Sequence, residues 1–147
     1  MASHQASIFI RRPLAEVFAY MDDIDREVEW QSNLVEATQS PPGPTSVGTS
    51  KQYVSQFLGK RLVNTYVVET YEPNRRMLAR TTKDSVLQAT SDLRWEEENG
   101  GTRVTMAVDG SASGPLRFLP KSMIEATFER EVIATLAELK KCLERGS

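Results

Sequence analysis

The sequence predicts an α+β domain with the element order β-α-α-β6-α, in which a seven-stranded antiparallel sheet is covered by one long C-terminal helix. Two observations carry this. Ile124, Phe128, Val132, Leu136, Leu139 and Leu143 recur at intervals of three and four, the spacing that gathers apolar side chains into one stripe of an α-helix. Between Asn33 and Ser111, by contrast, residues alternate with period two and breakers separate strand-like runs.

Ala6 to Arg11 is short, β-branched and aromatic, and reads as the first strand, preceded by a disordered leader over residues 1–5. Pro13 suits a helix N1 position, and Val17, Phe18 and Met21 follow at helical spacing. Asp22 and Asp23 can cap a second short helix carrying Ile24, Val28 and Trp30. The strand runs are Leu34–Thr38, Val47–Phe57, Arg61–Tyr71, Met77–Thr82, Val86–Glu96 and Thr102–Ser111. Their short connections, such as Asn99-Gly100-Gly101, imply an antiparallel meander. In the last two runs one set of residues, Leu87, Ala89, Ser91, Leu93 and Trp95 with Val104, Met106 and Val108, faces a cover, and only the C-terminal helix is long enough to provide it. Counted from Pro120, that helix spans about 37 Å at roughly 1.5 Å per residue. Beside its main stripe lies a shallower band of Met123, Ala126, Thr127, Arg130, Ile133, Ala134 and Ala137, expected to roof a space above the sheet.

At 147 residues the chain is one domain, 1–147, large enough for a substantial core. Its 18 Lys plus Arg and 20 Asp plus Glu are interspersed and give a net charge of −2, which argues against nucleic-acid binding. A single cysteine, Cys142, forms no internal disulfide, and the only histidine, His4, lies in the expected leader. Neither a zinc site nor a Cys/His dyad is expected, and no metal or other cofactor is implied. No apolar run reaches the roughly 18 residues of a membrane span. These features point to a soluble, reduced, cytoplasmic protein.

Several stretches carry a family resemblance: Ile10-Arg-Arg-Pro-Leu-Ala-Glu-Val-Phe18, Trp30, Val47-Gly-Thr49, Phe57-Leu-Gly59, Tyr71-Glu-Pro73, Gly101-Thr-Arg-Val-Thr105 and Leu136-Ala-Glu-Leu-Lys140. In this order the chain resembles the START-like or Bet v 1-like (SRPBCC) superfamily, and within it the polyketide cyclase/dehydrase-like branch. The resemblance implies a helix-grip fold, a curved sheet wrapped around the C-terminal helix with a cavity between them. Such a cavity would take a small hydrophobic ligand; fold alone does not assign an activity.

Strand parity and helix phase nominate the residues facing that cavity: Tyr53, Phe57, Asn64, Tyr66, Met77, Thr81, Ala89, Ser91, Leu93, Met106, Met123, Thr127 and Arg130. Most are apolar, which suits a largely hydrophobic, ring-containing metabolite. Asn64 stands in phase with Leu62, Tyr66 and Val68, so its amide either meets a neighbouring polar group or awaits a ligand, unless a one-residue bulge turns it outward. Arg130 has no acidic residue three or four positions away, and is either a solvated charge at the helix margin or a clamp for a ligand carboxylate or enolate. Tyr66, Asn64 and Arg130 are the candidates for catalysis, with phenols and amides as polarised donors. Asp92 and Asp109 point outward by parity, leaving Tyr, Arg and Glu131 as titratable groups for the interior.

Three readings follow. The chain binds a small polyketide- or lipid-like metabolite; it is an aromatase/cyclase or dehydratase acting on a polyketide-like substrate; or, more weakly, it is a protein-interaction module with a filled interior and an exposed apolar patch.

Overall fold

The structure, a computed structural model, describes residues 2–57, 59–113 and 117–145, apart from the Phe57 side chain. Strand β1 (Ala2–Ile10) is followed by helix α1 (Leu14–Asp22), a single 3-10 turn (Ile24–Arg26) and the four-residue helix α2 (Glu27–Trp30). Six strands follow: β2 (Leu34–Ser40), β3 (Ser50–Phe57), β4 (Lys60–Glu72), β5 (Arg76–Thr81), β6 (Leu87–Glu98) and β7 (Gly101–Ala112). The chain then enters helix α3 (Lys121–Glu144). All seven strands form one antiparallel sheet in the order β1-β7-β6-β5-β4-β3-β2, so β2 to β7 form a meander and β1 joins its far edge. The predicted α+β helix-grip architecture is the observed one.

Turn chemistry explains the meander. Asn99 and Gly100 both take positive φ, 48° and 80°, between Glu98 and Gly101, the backbone of a two-residue type I′ hairpin whose twist matches the strands. At Gly101 a Cβ would lie 2.6 Å from the Ile10 carbonyl oxygen, so only glycine lets β1 approach there.

The expected leader over residues 1–5 is corrected: Ala2 to Gln5 belong to β1, with Ala2 opposite Gly110 and His4 opposite Val108, and Ala2 is buried. Ladder hydrogen bonds to β7 hold a segment whose composition reads as polar leader. Met1 lies outside the described residues. The run expected from Val47 also shortens, because Gly48 turns at φ 94° and leaves Val47 exposed.

The core lies between the sheet and the helices. Val17, Phe18 and Met21 of α1 pack against Trp95, Met106 and Leu93, and Phe18 meets Trp95 edge-on at 4.7 Å between ring centroids. Helix α3 buries the predicted stripe of Ile124, Phe128, Val132, Leu136, Leu139 and Leu143, together with Thr127 and Thr135. The second band does not roof the interior. Met123 is 44% and Ile133 52% exposed, and Ala126, Arg130, Ala134 and Ala137 face outward with Ile133 around a shallow surface depression. Burying the Ile124-Phe128-Thr135 column turns residues 126, 130, 133, 134 and 137 away from the sheet and brings Glu131 inward instead. No helix among the described residues is long and apolar enough to cross a membrane.

Candidate functional site

Between the concave side of the sheet and α3 lies a cavity of about 160 Å³. Its walls come from Met21 of α1, Glu27 and Trp30 of α2, and Gln31, Ser32 and Leu34 after it. The strands contribute Lys51, Tyr53, Ser55, Asn64, Tyr66, Met77, Ala79, Leu87, Ala89, Ser91, Leu93, Met106 and Val108, and α3 contributes Phe128, Glu131, Val132 and Thr135. Alternation explains the strand share: positions 51, 53 and 55 of β3, 64 and 66 of β4, 77 and 79 of β5, and 87 to 93 of β6 are every second residue.

Of the predicted residues, Tyr53, Asn64, Tyr66, Met77, Ala89, Ser91, Leu93 and Met106 line this cavity. Phe57 was expected there too, but its side chain lies outside the described residues. Four others do not line it. Thr81 is buried, but its hydroxyl accepts the Ala89 N–H at 2.9 Å and serves the strand ladder. Thr127 is buried and its hydroxyl donates to the Met123 carbonyl one turn back at 2.9 Å. Met123 and Arg130 lie on the exposed face of α3. Arg130 therefore does not face this cavity, and of the trio expected from sequence only Tyr66 and Asn64 line it.

Asn64 does face inward, because the register shift in β4 falls between Val68 and Thr70 and leaves its parity intact. Its side-chain oxygen accepts the Leu87 N–H at 2.9 Å, so it fastens the start of β6 to β4 while presenting the rest of its amide to the cavity.

At the polar centre of the cavity, Lys51 and Glu27, neither nominated by sequence, join Tyr53 and Tyr66. Lys51 is 2% exposed, and its Nζ lies 3.7 Å from Glu27 Oε1 and 3.8 Å from Asp22 Oδ1. Glu27, also 2% exposed, accepts from Tyr53 Oη at 3.0 Å and from the Gln31 amide. Tyr71 donates to Asp22 Oδ2 at 2.6 Å, and Tyr53 stands edge-on to Tyr66 with ring centroids 5.7 Å apart. Burial pushes the Glu27 carboxyl up to about 7, while the Lys51 ammonium and the hydrogen bonds from Tyr53 and Gln31 pull it back. Burial also raises the Tyr66 phenol to about 12, raises the Tyr53 phenol with help from Glu27, and raises Glu131, whose carboxylate accepts from Asn33 Nδ2 at 3.0 Å. The cavity thus contains a carboxyl able to give or take a proton near neutrality.

Glu27 was hidden by helix phase. Reading α2 from Ile24, Val28 and Trp30 puts an apolar face on it, yet Val28 is 44% exposed while Glu27 and Trp30, three apart, share the buried side. Lys51 carried a usable signal, since it has the parity of Tyr53; a lysine at an inward strand position is discounted only by the habit of keeping ammonium groups in water.

A family model described as polyketide cyclase / dehydrase and lipid transport matches residues 1–144. Among curated proteins, none matches the chain in sequence. Several solved structures share its fold. The protein TTHA0849 from Thermus thermophilus is 15% identical with a TM-score of 0.83, the match covering 99% of each chain. A START superfamily protein from Mycobacterium smegmatis is 10% identical with a TM-score of 0.81, covering 100% of both. The di-domain ARO/CYC BexL of the BE-7585A biosynthetic pathway is 16% identical with a TM-score of 0.77, covering 99% of this chain and 50% of that one. At such identities the likeness concerns the fold alone.

Proposed function

Because the chain belongs to the polyketide cyclase / dehydrase and lipid transport family, we propose that it binds a small, hydrophobic, ring-containing metabolite, polyketide- or lipid-like, between sheet and C-terminal helix. The observation that carries this reading is the cavity itself, with walls of Trp30, Leu34, Met77, Leu87, Leu93, Met106 and Phe128 around a few polar groups. A volume of about 160 Å³ suits a single substituted ring, since apolar cavities of about 150 Å³ accept benzene. The lone cysteine and mixed surface charge support a reduced, cytoplasmic setting and a small-molecule partner rather than nucleic acid. Native mass spectrometry of protein purified from its host tests the reading. A retained small molecule, displaced by denaturation, is expected; a bare mass, together with no amide shift from a panel of aromatic compounds, would refute it.

A second reading, an aromatase/cyclase or dehydratase, is favoured by one observation: Glu27 sits in the cavity with its carboxyl near 7, beside Lys51 and Tyr53. Enolisation and dehydration both need a group that exchanges a proton at neutral pH. In this reading Glu27 moves the proton and Tyr66 and Asn64 orient a carbonyl. Turnover of polyketide-like substrates should then fall at least about a hundredfold in Glu27→Gln with folding intact. Binding without turnover by the wild type across that panel would exclude the enzyme and leave the carrier.

A further inference from the structure

The polar corner of the cavity holds buried polar atoms without hydrogen-bond partners, the Trp30 indole N–H on the wall and Asp22 Oδ1 beside Lys51. Trp30 is 1% exposed and lines the cavity, yet among the described residues no acceptor reaches its indole N–H. The other tryptophan, Trp95, donates its N–H to Met21 Sδ at 3.1 Å. Beside Glu27, the Lys51 ammonium faces carboxylate oxygens only at 3.7 and 3.8 Å, beyond hydrogen-bond length, and its one hydrogen bond is a weak 3.9 Å contact to Met77 Sδ. A buried donor left unmatched is destabilising, so a ligand that brings an acceptor to this corner recovers that free energy.

Charge selects which acceptor. Lys51 is the only cation lining the cavity among the described residues, and Glu27 and Asp22 already flank it. Glu131 adds a third carboxyl group on the α3 wall. A ligand carboxylate entering here would meet like charge with no unshared positive charge to offset its desolvation. A carbonyl or hydroxyl oxygen brings lone pairs at no net charge.

We propose that the corner formed by Trp30, Lys51, Glu27 and Tyr53 is an oxygen-binding subsite that takes a neutral carbonyl or hydroxyl group of the ligand in preference to a carboxylate. The subsite rests on the ligand-binding reading above and adds the chemical class that the cavity selects. It also predicts when the preference weakens. The groups facing Glu27 are Lys51 and Tyr53 from β3, Asp22 from α1 and Gln31 from its own turn, and Glu131 lies across the cavity. Once Glu27 holds its proton, the corner loses one negative charge and gains a donor, so a carboxylate is tolerated better in acid.

The test uses three probes of one shape on the 15N-labelled full chain: acetophenone, isopropylbenzene and benzoate. Acetophenone and isopropylbenzene should both shift the backbone amides of Ala89, Met106 and Phe128. Only acetophenone should move the Trp30 indole N–H downfield, the Trp95 indole serving as internal reference. Acetophenone should bind at least about threefold more tightly than isopropylbenzene, the low end of one net hydrogen bond. Benzoate should bind at least about tenfold more weakly than acetophenone at about pH 8, the gap narrowing at about pH 5. Trp30→Phe should weaken acetophenone by a larger factor than it weakens isopropylbenzene, narrowing the gap between them. Equal binding of the two neutral probes with a stationary Trp30 indole overturns the subsite but leaves the ligand-binding reading standing. Tighter binding of benzoate than acetophenone at about pH 8 overturns the choice of a neutral group. Failure of all three to shift the cavity amides overturns the ligand-binding reading, and the subsite with it.

Discussion

Replacing Glu27 with glutamine should change how stability depends on pH. A carboxyl whose affinity for protons moves from 4.5 to about 7 on folding is held more tightly in the native state than in the unfolded chain. Its contribution is therefore fully present below about pH 4.5, is lost as pH rises towards 7, and stays lost above. At about 1.4 kcal/mol for each tenfold change in proton affinity, the whole loss is about 3 kcal/mol, and the interval from about pH 5 to about pH 8 covers most of it. Glu27 is 2% exposed, so solvent screening takes little from this figure. Other carboxyls also titrate: Glu131 acts in the same direction, whereas Glu98 and Glu144, lowered by Arg103 and by Lys140, act in the opposite one. Those contributions cancel when wild type and Glu27→Gln are compared at each pH. Urea unfolding of both proteins should show the wild type losing about 2 to 3 kcal/mol relative to the variant from about pH 5 to about pH 8, whatever constant offset Gln31 and Tyr53 impose. A difference that stays constant, or that moves in favour of the wild type with rising pH, would mean that Lys51 outweighs desolvation, and the account of this carboxyl would be wrong.

The same balance predicts the neighbours' roles. Lys51→Met should raise the Glu27 midpoint above 7 and Asp22→Asn should lower it, as read from a 13C carboxyl titration; movement of either in the other direction would contradict the assigned causes. Asn64→Leu strands the Leu87 N–H and should cost about 1 to 3 kcal/mol in urea unfolding, where a purely cavity-facing amide would cost almost nothing. Gly101→Ala places a methyl 2.6 Å from the Ile10 carbonyl oxygen and 2.7 Å from the Phe9 ring, and should cost about 1 to 3 kcal/mol, with faster amide exchange along β1.

Most of the architecture was legible because period-two alternation, the Asn99-Gly100 turn and the stripe from Ile124 to Leu143 all specify the same packing. Ala2 to Gln5 were not, since a polar edge strand is held by main-chain bonds that leave no apolar pattern behind. On the sheet, parity found the cavity wall from Tyr53 to Met106, because a strand has two faces and one of them was plainly wet. On the helices, phase failed by a single residue: about 100° of rotation separates Arg130 from Glu131 and Glu27 from Val28. A buried charge contradicts the rule by which sequence is sorted into inside and outside, so Glu27 was hidden and Lys51 was passed over despite sharing the parity of Tyr53.

The pairing of β1 with β7 also governs the order in which the molecule can be assembled. Ile10 must wait for Thr102 and Ala2 for Gly110, and the helix that covers the sheet is made after both. Until β7 is made the first strand therefore has no partner, and until α3 is made the concave face that becomes the cavity wall lacks its main cover. Pairing across so much intervening chain places refolding in the millisecond-to-second range, and stopped-flow fluorescence of Trp95, seated between β7 and α1, should report that phase. A protein whose interior is finished last is most exposed to aggregation just before α3 docks.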